Sequence, residues 1–534
     1  MKRRLRGIGL AAACCAVLEA GAAGPAWATS AAITLSPKVG PPTTKVAVTG
    51  TGFGASETVV VDFSSTQVAS PTTSSTGSLS TSFMVPKAAL PGYHLVKATG
   101  RTSGRSATAY FLVRANWPKF HATLAGTGLN PYENVLNPAN VAQLTPAWSS
   151  GTSSYIWSSP AVVNGVVYIG SQDGNLYAYS AGGTIGCTGT RPDRSCTPLW
   201  VGPTTSQITS SPAVSNGVAY IGSEDGKLYA FSAAASTKCS GTPKTCPPLW
   251  TGTMKGGIAD SSPAVANGVV YVGADDDKLY AFSAAGTTNC SGTPKTCQPL
   301  WTGATGGYII SSPAVVSGVV YVGSDDHDLY AFDAAGMTNC SGTPKTCRPL
   351  WTGATGSPVR SSPAVANGVV YVGSNDGYLY AFGAGSTSNC SGIPKTCTPL
   401  WRAYMGVTYS SPAVAGGVVY VGSEDNYLYA FSAAGTTGCS GSPKTCSPLW
   451  TAYTSGPIYS SPAVANGVVY IGSFDGMLYA FSAAAGSSCN NNVPKDCFPL
   501  WNGTTGYSIA SSPAVANGMV FVGSSDGAIC AFSR

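Results

Sequence analysis

The chain has 534 residues, of which only 9% are charged and 66 are glycine, and its formal net charge is +6. This composition suits a turn-rich β protein and argues against a disordered polyelectrolyte. The small net charge and the lack of a Lys/Arg-rich run beyond the N-terminus disfavour a nucleic-acid partner.

Residues 1–28 have the features of a secretory signal peptide. Four basic residues between positions 2 and 6 precede an Ala-rich stretch, and Ala26-Trp27-Ala28 fits a small-x-small cleavage site. Arg3-Arg4 leaves twin-arginine export open, and Cys14 leaves lipidation open, although Ala11 replaces the large aliphatic residue of a lipoprotein motif. No other segment has about 20 consecutive apolar residues. We therefore expect a secreted or extracytoplasmic protein, at the cell surface or in the periplasm, without a transmembrane segment in the mature chain.

Residues 30–115 contain short β-branched runs separated by Gly and Pro clusters. Val46-Ala47-Val48 and Tyr110-Phe111-Leu112-Val113 are two of these runs. They predict a small antiparallel β-sandwich. Leu35-Ser36-Pro37 leading to Thr49–Gly54 resembles the start of immunoglobulin-like IPT/TIG modules, which often act as spacers or adhesive units on exported proteins.

A lead-in at residues 116–143 precedes eight copies of the phrase Ser-Pro-Ala-Val, which recur at intervals of 49 to 52 residues. In one copy, Ser262–Val265, Gly268–Gly273, Leu279–Phe282 and Pro299–Trp301 each have the composition of a short strand. No window shows a sustained helical period. Four antiparallel strands per repeat of about 50 residues are typical of a β-propeller blade.

The two ends of the repeat region predict how the ring closes. The last copy stops at Arg534 after its third strand, and Leu144–Trp148 is an unpartnered fourth strand upstream of the first copy. Pairing the two leaves no open sheet edge. We therefore predict an all-β fold, with an eight-bladed propeller at residues 144–534 whose N-terminal strand completes the last blade. We expect one tryptophan per blade to pack between neighbours: Trp148, Trp200, Trp250, Trp301, Trp351, Trp401, Trp450 and Trp501.

Seven of the repeats carry a close pair of cysteines between the third and fourth strands. Zinc sites would need four ligands, and these pairs lack nearby His or carboxylate partners at ligand spacing. Local disulfides in an oxidising compartment are the favoured interpretation. The predicted disulfides are Cys187–Cys196, Cys239–Cys246, Cys290–Cys297, Cys340–Cys347, Cys390–Cys397, Cys439–Cys446 and Cys489–Cys497. Cys530 replaces the Tyr of other copies and is predicted to be a buried free thiol.

The sequence of the repeat resembles the pyrroloquinoline-quinone (PQQ) repeat family. The segment Val218–Ala230 matches the Val-Tyr-Val-Gly-Ser-x-Asp-Gly-x-Leu-Tyr-Ala pattern of that family closely. The resemblance implies a propeller over residues 117–534. The family includes calcium- and quinone-dependent dehydrogenases and non-enzymatic members such as BamB-like outer-membrane assembly lipoproteins. The dehydrogenases often have a disulfide between adjacent cysteines, whereas the only adjacent pair here is Cys14-Cys15. Their Thr-Gly turn is replaced by the cysteine-bracketed insertion, and the blades here are nearly uniform.

We therefore interpret the chain as an exported, non-enzymatic scaffold that binds a protein or a cell-envelope polymer through one propeller face. This interpretation includes no cofactor, no metal and no catalytic residue. The alternative is a PQQ- and calcium-dependent quinoprotein dehydrogenase. A third hypothesis is a structural surface protein whose ring has no specific ligand.

One position varies sharply among otherwise similar copies, three residues before each repeat proline. It lies where the fourth strand of one blade passes to the first strand of the next, near the central channel of a propeller. Its aromatic and charged residues have the composition of a recognition surface, although variation at an exposed loop is the alternative. These candidate binding residues, called the variable ring below, are Trp157, Thr209, Asp260, Ile310, Arg360, Tyr409, Tyr459 and Ala510.

Charged turns predict two faces of opposite sign. The turns between the second and third strands share a face with the variable ring and carry Glu224, Asp225, Asp275, Asp276, Asp325, Asp326, Glu424 and Asp425. The cysteine loops lie on the opposite face and carry Lys244, Lys295, Lys345, Lys395, Lys444 and Lys495. These charges either solubilise the turns or attract an anionic polymer or membrane surface.

Overall fold

The computed structural model describes residues 30–385 and 389–534, so the predicted signal peptide lies outside the described residues. Regular structure in this part of the chain is almost entirely β-strand, with one short 3-10 helix at Val141–Gln143. None of its helices is long and apolar enough to cross a membrane. The described residues form two compact units. The first comprises residues 30–38, Lys45–Met84 and Tyr93–Phe111, and the second comprises Val39–Thr44, Val85–Gly92 and Leu112–Arg534.

The first unit is built from two small sheets. One has the strand order Ala32–Ser36, Lys45–Thr51, Leu79–Met84, and the other has the order Ser106–Val113, Gly92–Gly100, Val59–Phe63, Thr66–Ala69. Within the second unit, Val39–Gly40 pairs in parallel with Leu112 and Val113. Alternate side chains such as Val46, Val48 and Phe83 are buried, as the two-residue period of a strand requires. The resemblance of this unit to IPT/TIG modules stays a prediction.

The second unit is a β-propeller, as the sequence predicts. Eight antiparallel four-stranded sheets occur in its described residues, and they are numbered here as blades 1 to 8 with strands a to d from the inside outwards. The a strands are Ala161–Val163, Ala213–Ser215, Ala264–Ala266, Ala314–Val316, Ala364–Ala366, Ala413–Ala415, Ala463–Ala465 and Ala514–Ala516. The b strands are Val166–Gly170, Val218–Ser223, Val269–Ala274, Val319–Gly323, Val369–Gly373, Val418–Gly422, Val468–Gly472 and Met519–Gly523.

The outer strands follow the same order. The c strands are Asn175–Ser180, Lys227–Ser232, Lys278–Ser283, Asp328–Asp333, Tyr378–Gly383, Tyr427–Ser432, Met477–Ser482 and Ala528–Ser533. The d strands are Trp200–Pro203, Trp250–Thr253, Trp301–Ala304, Trp351–Ala354, Trp401–Tyr404, Trp450–Tyr453, Trp501–Thr504 and, in blade 8, Thr145–Gly151. Thr145–Gly151 pairs antiparallel with Ala528–Ser533, so an N-terminal strand completes the sheet that contains the C-terminus.

Turn chemistry sets the strand boundaries. In blade 1, Asn164 (φ 53°) and Gly165 (φ 78°) form the turn between strands a and b, which is the Asn-Gly sequence favoured where both central residues need positive φ. Gly174 (φ 84°) serves the turn between strands b and c. Strand b, with the sequence VVYIG, is β-branched and buried along most of its length.

A closed circle of serine hydrogen bonds joins the blades. The second serine of each Ser-Ser-Pro phrase accepts a hydrogen bond at Oγ from the backbone N–H of its counterpart in the preceding blade, over 2.8–2.9 Å. The last bond, from Ser512 N–H to Ser159 Oγ, returns to blade 1. The members of this serine ring are Ser159, Ser211, Ser262, Ser312, Ser362, Ser411, Ser461 and Ser512. All of them are buried.

The first serine of each phrase acts within its own blade. Ser158 Oγ accepts the backbone N–H of Gly170 at the end of strand b over 3.0 Å, and the same bond recurs in the other seven blades. A Cβ at Gly170 would approach Ile208 Cγ2 to 2.3 Å, so this position needs glycine for a close approach between neighbouring blades. The paired serines therefore have separate structural roles.

The tryptophans of strand d pack between blades, where the sequence analysis expected them. Trp200 of blade 1 lies 6.0 Å from Tyr168 of its own blade and 6.2 Å from Phe231 of blade 2, measured between ring centroids. Its Nε1 donates to Ala233 O over 3.1 Å. Seven of the eight are buried, and Trp501 of blade 7 is half-buried.

Seven disulfides are present, with the predicted pairing. Each closes a small hairpin between strands c and d, and one strand of that hairpin pairs in parallel with strand d of the preceding blade. The hairpin strands are Cys187–Thr188, Ser195–Cys196, Lys244–Thr245, Cys290–Ser291, Thr296–Cys297, Cys340–Ser341, Thr346–Cys347, Cys390–Ser391, Lys395–Cys397, Cys439–Ser440, Lys444–Cys446 and Lys495–Asp496. The disulfide hairpins thus cover outer sheet edges that would otherwise be open.

The lead-in lies across one end of the channel. Trp117 and Val162 exchange two backbone hydrogen bonds of 2.7 Å, and Leu129–Asn130 pairs in parallel with strand a of blade 7. Between them, Gly126 (φ 65°) has Pro363 O only 2.4 Å from where a Cβ would stand. The lead-in therefore closes the channel end opposite the variable ring.

We predict that Ser312→Ala destabilises the propeller. The change leaves the buried N–H of Ser262 without its acceptor, and such a loss costs about 1–3 kcal/mol. Chemical denaturation monitored by tryptophan fluorescence measures the effect. Ser291→Ala, at an exposed serine of a disulfide hairpin, is the matched control. Equal stability of the two variants would contradict a structural role for the serine ring.

We also predict that the double change Cys340→Ser and Cys347→Ser uncovers strand d of blade 3. Thr302 N–H donates to Lys345 O of this hairpin over 3.0 Å, so its amide exchange should become faster. Closing a loop of this size is worth about 2–3 kcal/mol in the chain-entropy model, so Tm should also fall. Thr251, whose N–H donates to Lys295 O over 3.0 Å, is the internal control. Unchanged exchange at Thr302 would refute the covering role.

Candidate functional site

A cavity of about 440 Å³ occupies the central channel, and all eight residues of the variable ring line it. The serine ring lines it as well, together with Phe120 of the lead-in and Phe474 of blade 7. Each variable residue stands two positions before a ring serine. Because the hydrogen bonds of the Ser-Ser phrase fix the backbone there, the preceding side chain can change without altering the ring.

The circular order of the blades decides which side chains face one another. With eight blades in a closed ring, blade 3 lies opposite blade 7, so Asp260 and Tyr459 stand on opposite walls of the cavity. Thr209 of blade 2 likewise lies opposite Tyr409 of blade 6, and Trp157 lies opposite Arg360. The cavity is therefore asymmetric, although the backbone around it repeats.

An aromatic wall runs along blades 6 and 7. The rings of Tyr409 and Tyr459 stack with centroids 5.3 Å apart and an angle of 25° between their planes. Tyr459 also lies 4.4 Å from Phe474, measured between ring centroids. Burial and the neighbouring Glu424 raise the pKa of Tyr459, so its hydroxyl keeps its proton at neutral pH. Trp157 extends the aromatic surface across blade 1, and 44% of its area is exposed.

Arg360 is held by two neighbours. Its Nε and Nη2 donate to the two carboxylate oxygens of Asp325 over 3.0 and 2.9 Å, and its Nη1 donates to Tyr409 Oη over 3.1 Å. The guanidinium carbon lies 5.6 Å from the centroid of the Tyr409 ring. A bidentate pair of this kind fixes the guanidinium plane, and together with the bond to Tyr409 it uses three of the five N–H donors. Arg360 therefore links the acidic and the aromatic parts of the cavity.

A second variable set surrounds the mouth of the cavity at the first residue of each turn between strands b and c. The set, called the mouth ring, is Gln172, Glu224, Asp275, Asp325, Asn375, Glu424, Phe474 and Ser525. Together the variable ring and the mouth ring hold five carboxylates and one guanidinium. The face formed by these turns and by the connections between strands d and a is called the mouth face below.

Three carboxyl groups of blades 2 and 3 have raised pKa values. Asp260 lines the cavity, and although it exposes surface to the channel, desolvation by the surrounding wall raises its pKa. Partial burial, reinforced by Asp260, Glu224, Asp325 and Asp276, raises the pKa of Asp275 to about 6. Desolvation, with Asp260 nearby, also raises the pKa of Glu224. These carboxylates are close enough to disfavour each other's charge.

The second carboxylate of each turn has a structural role, which the sequence analysis did not separate from the first. Asp276 Oδ2 accepts the hydroxyl of Tyr280 over 2.6 Å, and Asp326 Oδ2 accepts that of Tyr330 over 2.6 Å. Lys278 Nζ lies 3.3 Å from Asp276 Oδ2. The acidic character of the mouth thus comes from the first carboxylate of each turn.

Sequence reasoning missed an exposed aromatic pair in each of blades 5 and 6. Tyr378 and Tyr404 lie edge to face with centroids 5.3 Å apart, and Tyr427 and Tyr453 repeat this arrangement. Tyr404 is 63% exposed and Tyr453 is 54% exposed. Only these two copies combine Tyr at the start of strand c with Tyr at the end of strand d, so comparing the copies at these positions would have found the pairs.

Two titratable groups that do not line the cavity, Cys530 and Lys119, were also considered as chemically active groups. Cys530 is the one free cysteine of the described residues and is half-buried, less than expected, and desolvation raises the pKa of its thiol to about 12. Lys119 is buried in the lead-in, where burial lowers its pKa to about 8. Its Nζ donates to Phe120 O over 2.8 Å, and Lys119 is not among the residues that line the cavity.

Comparisons with known proteins agree with the propeller fold. A family model described as outer membrane protein assembly factor BamB matches residues 247–339 and 393–489. BamB from Moraxella catarrhalis has a similar structure, with a TM-score of 0.51 and 16% identity over 73% of this chain and 98% of that chain. No match was found among curated proteins.

Two further solved structures share the fold. The quinohemoprotein alcohol dehydrogenase ADHIIG from Pseudomonas putida HK5 gives a TM-score of 0.54 and 14% identity over 78% of this chain and 80% of that chain. The computationally designed Ika8 protein gives a TM-score of 0.53 and 14% identity over 73% of this chain and 100% of that chain. At such identities the likeness concerns the fold alone.

The residues of the channel do not fit a calcium-bound quinone. Pyrroloquinoline quinone is itself a polycarboxylate, and the mouth presents five carboxylates to it with a single guanidinium already paired to Asp325. Within residues 30–385 and 389–534, no group of three or more His, Cys, Asp or Glu side chains is placed to hold a metal ion. The electrostatics of the cavity favour a positive ligand over a negative one.

We predict that Asp275→Asn raises Tm at pH 7.5 by about 1–2 °C, and less at pH 5. With a native pKa near 6, above the ordinary 3.8, the folded state holds the proton more tightly than the unfolded state does. The contribution of this group to stability therefore falls as pH rises from about 4 through 6, and Asn removes that loss. Differential scanning calorimetry measures it. Asp193→Asn on an exposed disulfide hairpin is the control, and a lower Tm for Asp275→Asn at pH 7.5 would contradict the prediction.

Proposed function

We propose that this protein is an exported, non-enzymatic scaffold that binds a protein or a cell-envelope polymer through the mouth face of its propeller. The observation that carries the proposal is the cavity, where eight different side chains line a channel whose backbone and serines repeat. Aromatic and Arg side chains are typical anchors of binding surfaces. The fold brings these eight positions together, and the aromatic and Arg side chains that occupy several of them are of the kinds that binding surfaces use.

The distribution of exposed aromatic side chains supports the mouth face as the binding surface. Seven of the eight exposed aromatics in the described residues of the blades lie on the connections between strands d and a, on the turns between strands b and c, or at the ends of strand d. They are Tyr155, Trp157, Tyr308, Tyr404, Tyr453, Phe474 and Tyr507. The disulfide hairpins on the opposite side expose aliphatic residues such as Ile393 and Val493, with Phe498 at the base of the blade 7 hairpin. Clustered exposed aromatics are a feature of interaction sites.

Export is supported by the seven disulfides, because such bonds persist in oxidising compartments. It is also supported by the basic, Ala-rich segment at residues 1–28. A partner in the envelope agrees with the likeness to BamB, which is described as an assembly factor of outer membrane proteins. The partner is therefore expected among the components of the cell envelope.

The test is capture of envelope components from the source organism on immobilised protein. The triple variant Trp157→Ala, Tyr404→Ala, Tyr453→Ala should retain at least about tenfold less of any specific component than the wild type, because exposed aromatic anchors carry much of a binding free energy. The matched control is Tyr93→Ala with Tyr110→Ala, which removes two exposed tyrosines of the first unit. Far-UV circular dichroism and Tm establish that all variants are folded.

Two outcomes would overturn this proposal. The first is a component that is retained equally by the triple variant and lost by the control variant, which would assign binding to the first unit. The second is stoichiometric binding of pyrroloquinoline quinone in the presence of calcium, with dye-linked alcohol oxidation.

A further inference from the structure

Three carboxyl groups of blades 2 and 3, those of Glu224, Asp260 and Asp275, form no salt bridge among the described residues. The three salt bridges among the described residues join Lys227 to Asp225, Lys278 to Asp276 and Arg360 to Asp325. None of them involves Glu224, Asp260 or Asp275. Arg360 donates to Asp325 and Tyr409 and forms no salt bridge with Asp260 among the described residues, although its charge and a hydrogen bond from Thr209 both lower the pKa of Asp260 against the effect of desolvation. The acidic side of the cavity therefore holds three carboxyl groups that no salt bridge among the described residues neutralises.

The opposite wall suits the same kind of ligand. The faces of Tyr409 and Tyr459 carry negative electrostatic potential, which attracts cations, and their hydrocarbon surface accommodates methylene groups. Asp260 faces Tyr459 across the channel, so a ligand lying between them would meet a carboxylate at one side and an aromatic ring at the other. Phe120 adds an apolar floor at the closed end of the cavity.

The side chains of the cavity wall limit the class of ligand that the cavity can bind. A carboxylate accepts hydrogen bonds, so an ammonium with N–H donors satisfies it better than a quaternary ammonium does. A neutral or anionic polymer would leave the carboxylates unpaired, which is costly in a desolvated site. A cavity near 440 Å³ lies at the small end of ligand pockets and suits a single extended side chain.

We propose that the cavity binds a lysine side chain of a protein partner, with the ammonium group against Asp260 and the aliphatic chain against Tyr409 and Tyr459. This inference rests on the proposed function, since it names the partner class for the same surface. The mouth ring carboxylates Glu224 and Asp275 attract the cation on its way into the channel. Arg360 fixes the position of the Tyr409 hydroxyl and lies between the acidic and the aromatic walls.

The experiment is a ligand-observed NMR titration with Nα-acetyl-lysine N-methylamide. We expect saturable binding with a Kd of about 1 mM, the strength expected of one small side chain. Nα-acetyl-norleucine N-methylamide, which has the same carbon chain without the amine, should bind at least about tenfold more weakly, because it leaves the carboxylates unpaired. Equal affinity for the two probes would overturn the proposal.

Variants assign the site. Asp260→Asn should weaken binding of the lysine probe at least about tenfold, since it removes the facing charge, and Tyr459→Leu should weaken it about threefold to tenfold. Asp193→Asn, which removes an equal charge from a disulfide hairpin, should leave the affinity unchanged. If Asp260→Asn folds poorly, Asp275→Asn provides a second variant in which a carboxylate of the site is removed. Affinity that is unaltered in both acidic variants would overturn the proposal.

The pH dependence is an independent readout. Around Asp275 stand Asp260, Glu224, Asp325 and Asp276, of which Asp325 is paired with Arg360 and Asp276 with Lys278. As pH falls from 7.5 to 5, Asp275 takes up a proton while the lysine probe keeps its charge. The affinity of the wild type should therefore fall several-fold, and that of Asp275→Asn should change less. Affinity that rises at pH 5 would overturn the proposal.

The two proposals can fail separately. If the mouth-face variants lose the captured envelope component but the lysine probe does not bind, the face binds a partner without using a lysine, and only this inference fails. If the captured component is an amine-bearing polymer and not a protein, the assignment to a protein partner fails. If neither the capture nor the probe depends on the mouth face, both proposals fail.

Discussion

The serine ring is the interaction on which the remainder of the propeller depends. Each of its hydrogen bonds runs from one blade to the next, and the last returns to the first, so every inner strand is held at a fixed distance from its neighbours. A circle of this kind ties the geometry of the channel to all blades at once. Because the serines hold the backbone, the residue two positions before each ring serine is not needed to hold the blades together. Trp157, Asp260 and Arg360 can therefore differ although they occupy equivalent places.

The cavity shows how a repeated scaffold can produce a unique site. Repetition supplies eight equivalent positions around an axis, and substitution at those positions supplies the chemistry. Here the substitutions separate into an acidic side near Asp260 and an aromatic side near Tyr459, and the pair of Arg360 with Asp325 joins them. Desolvation and the neighbouring carboxylates raise the pKa of Asp275, so its negative charge is disfavoured in the folded protein.

Much of this architecture could be predicted from the sequence because it is local and repeated. The propeller fold and the pairing of each cysteine with its near neighbour follow from patterns within about 50 residues. The pairing of Thr145–Gly151 with the last repeat follows from the fourth strand that this repeat lacks. The convergence of the variable ring followed from one comparison among copies. The parallel pairing of a hairpin strand such as Lys244–Thr245 with the preceding blade could not be predicted, because no sequence pattern links them. Neither could the separate roles of Asp275 and Asp276, since both are acidic and adjacent.

The disulfide hairpins mean that a unit of sequence is not a unit of structure. Blades 1 to 7 each take their four strands from one stretch of chain, whereas blade 8 combines both ends of the propeller. In every blade except blade 7, the strand that covers the outer edge comes from the repeat that follows in the ring. A repeat taken alone would have a bare outer edge, because the covering strand belongs to the repeat after it. The stability of each covered blade therefore depends on the sequence of its successor. The strand Trp501–Thr504 has no covering strand among the described residues, because the last repeat has no disulfide hairpin.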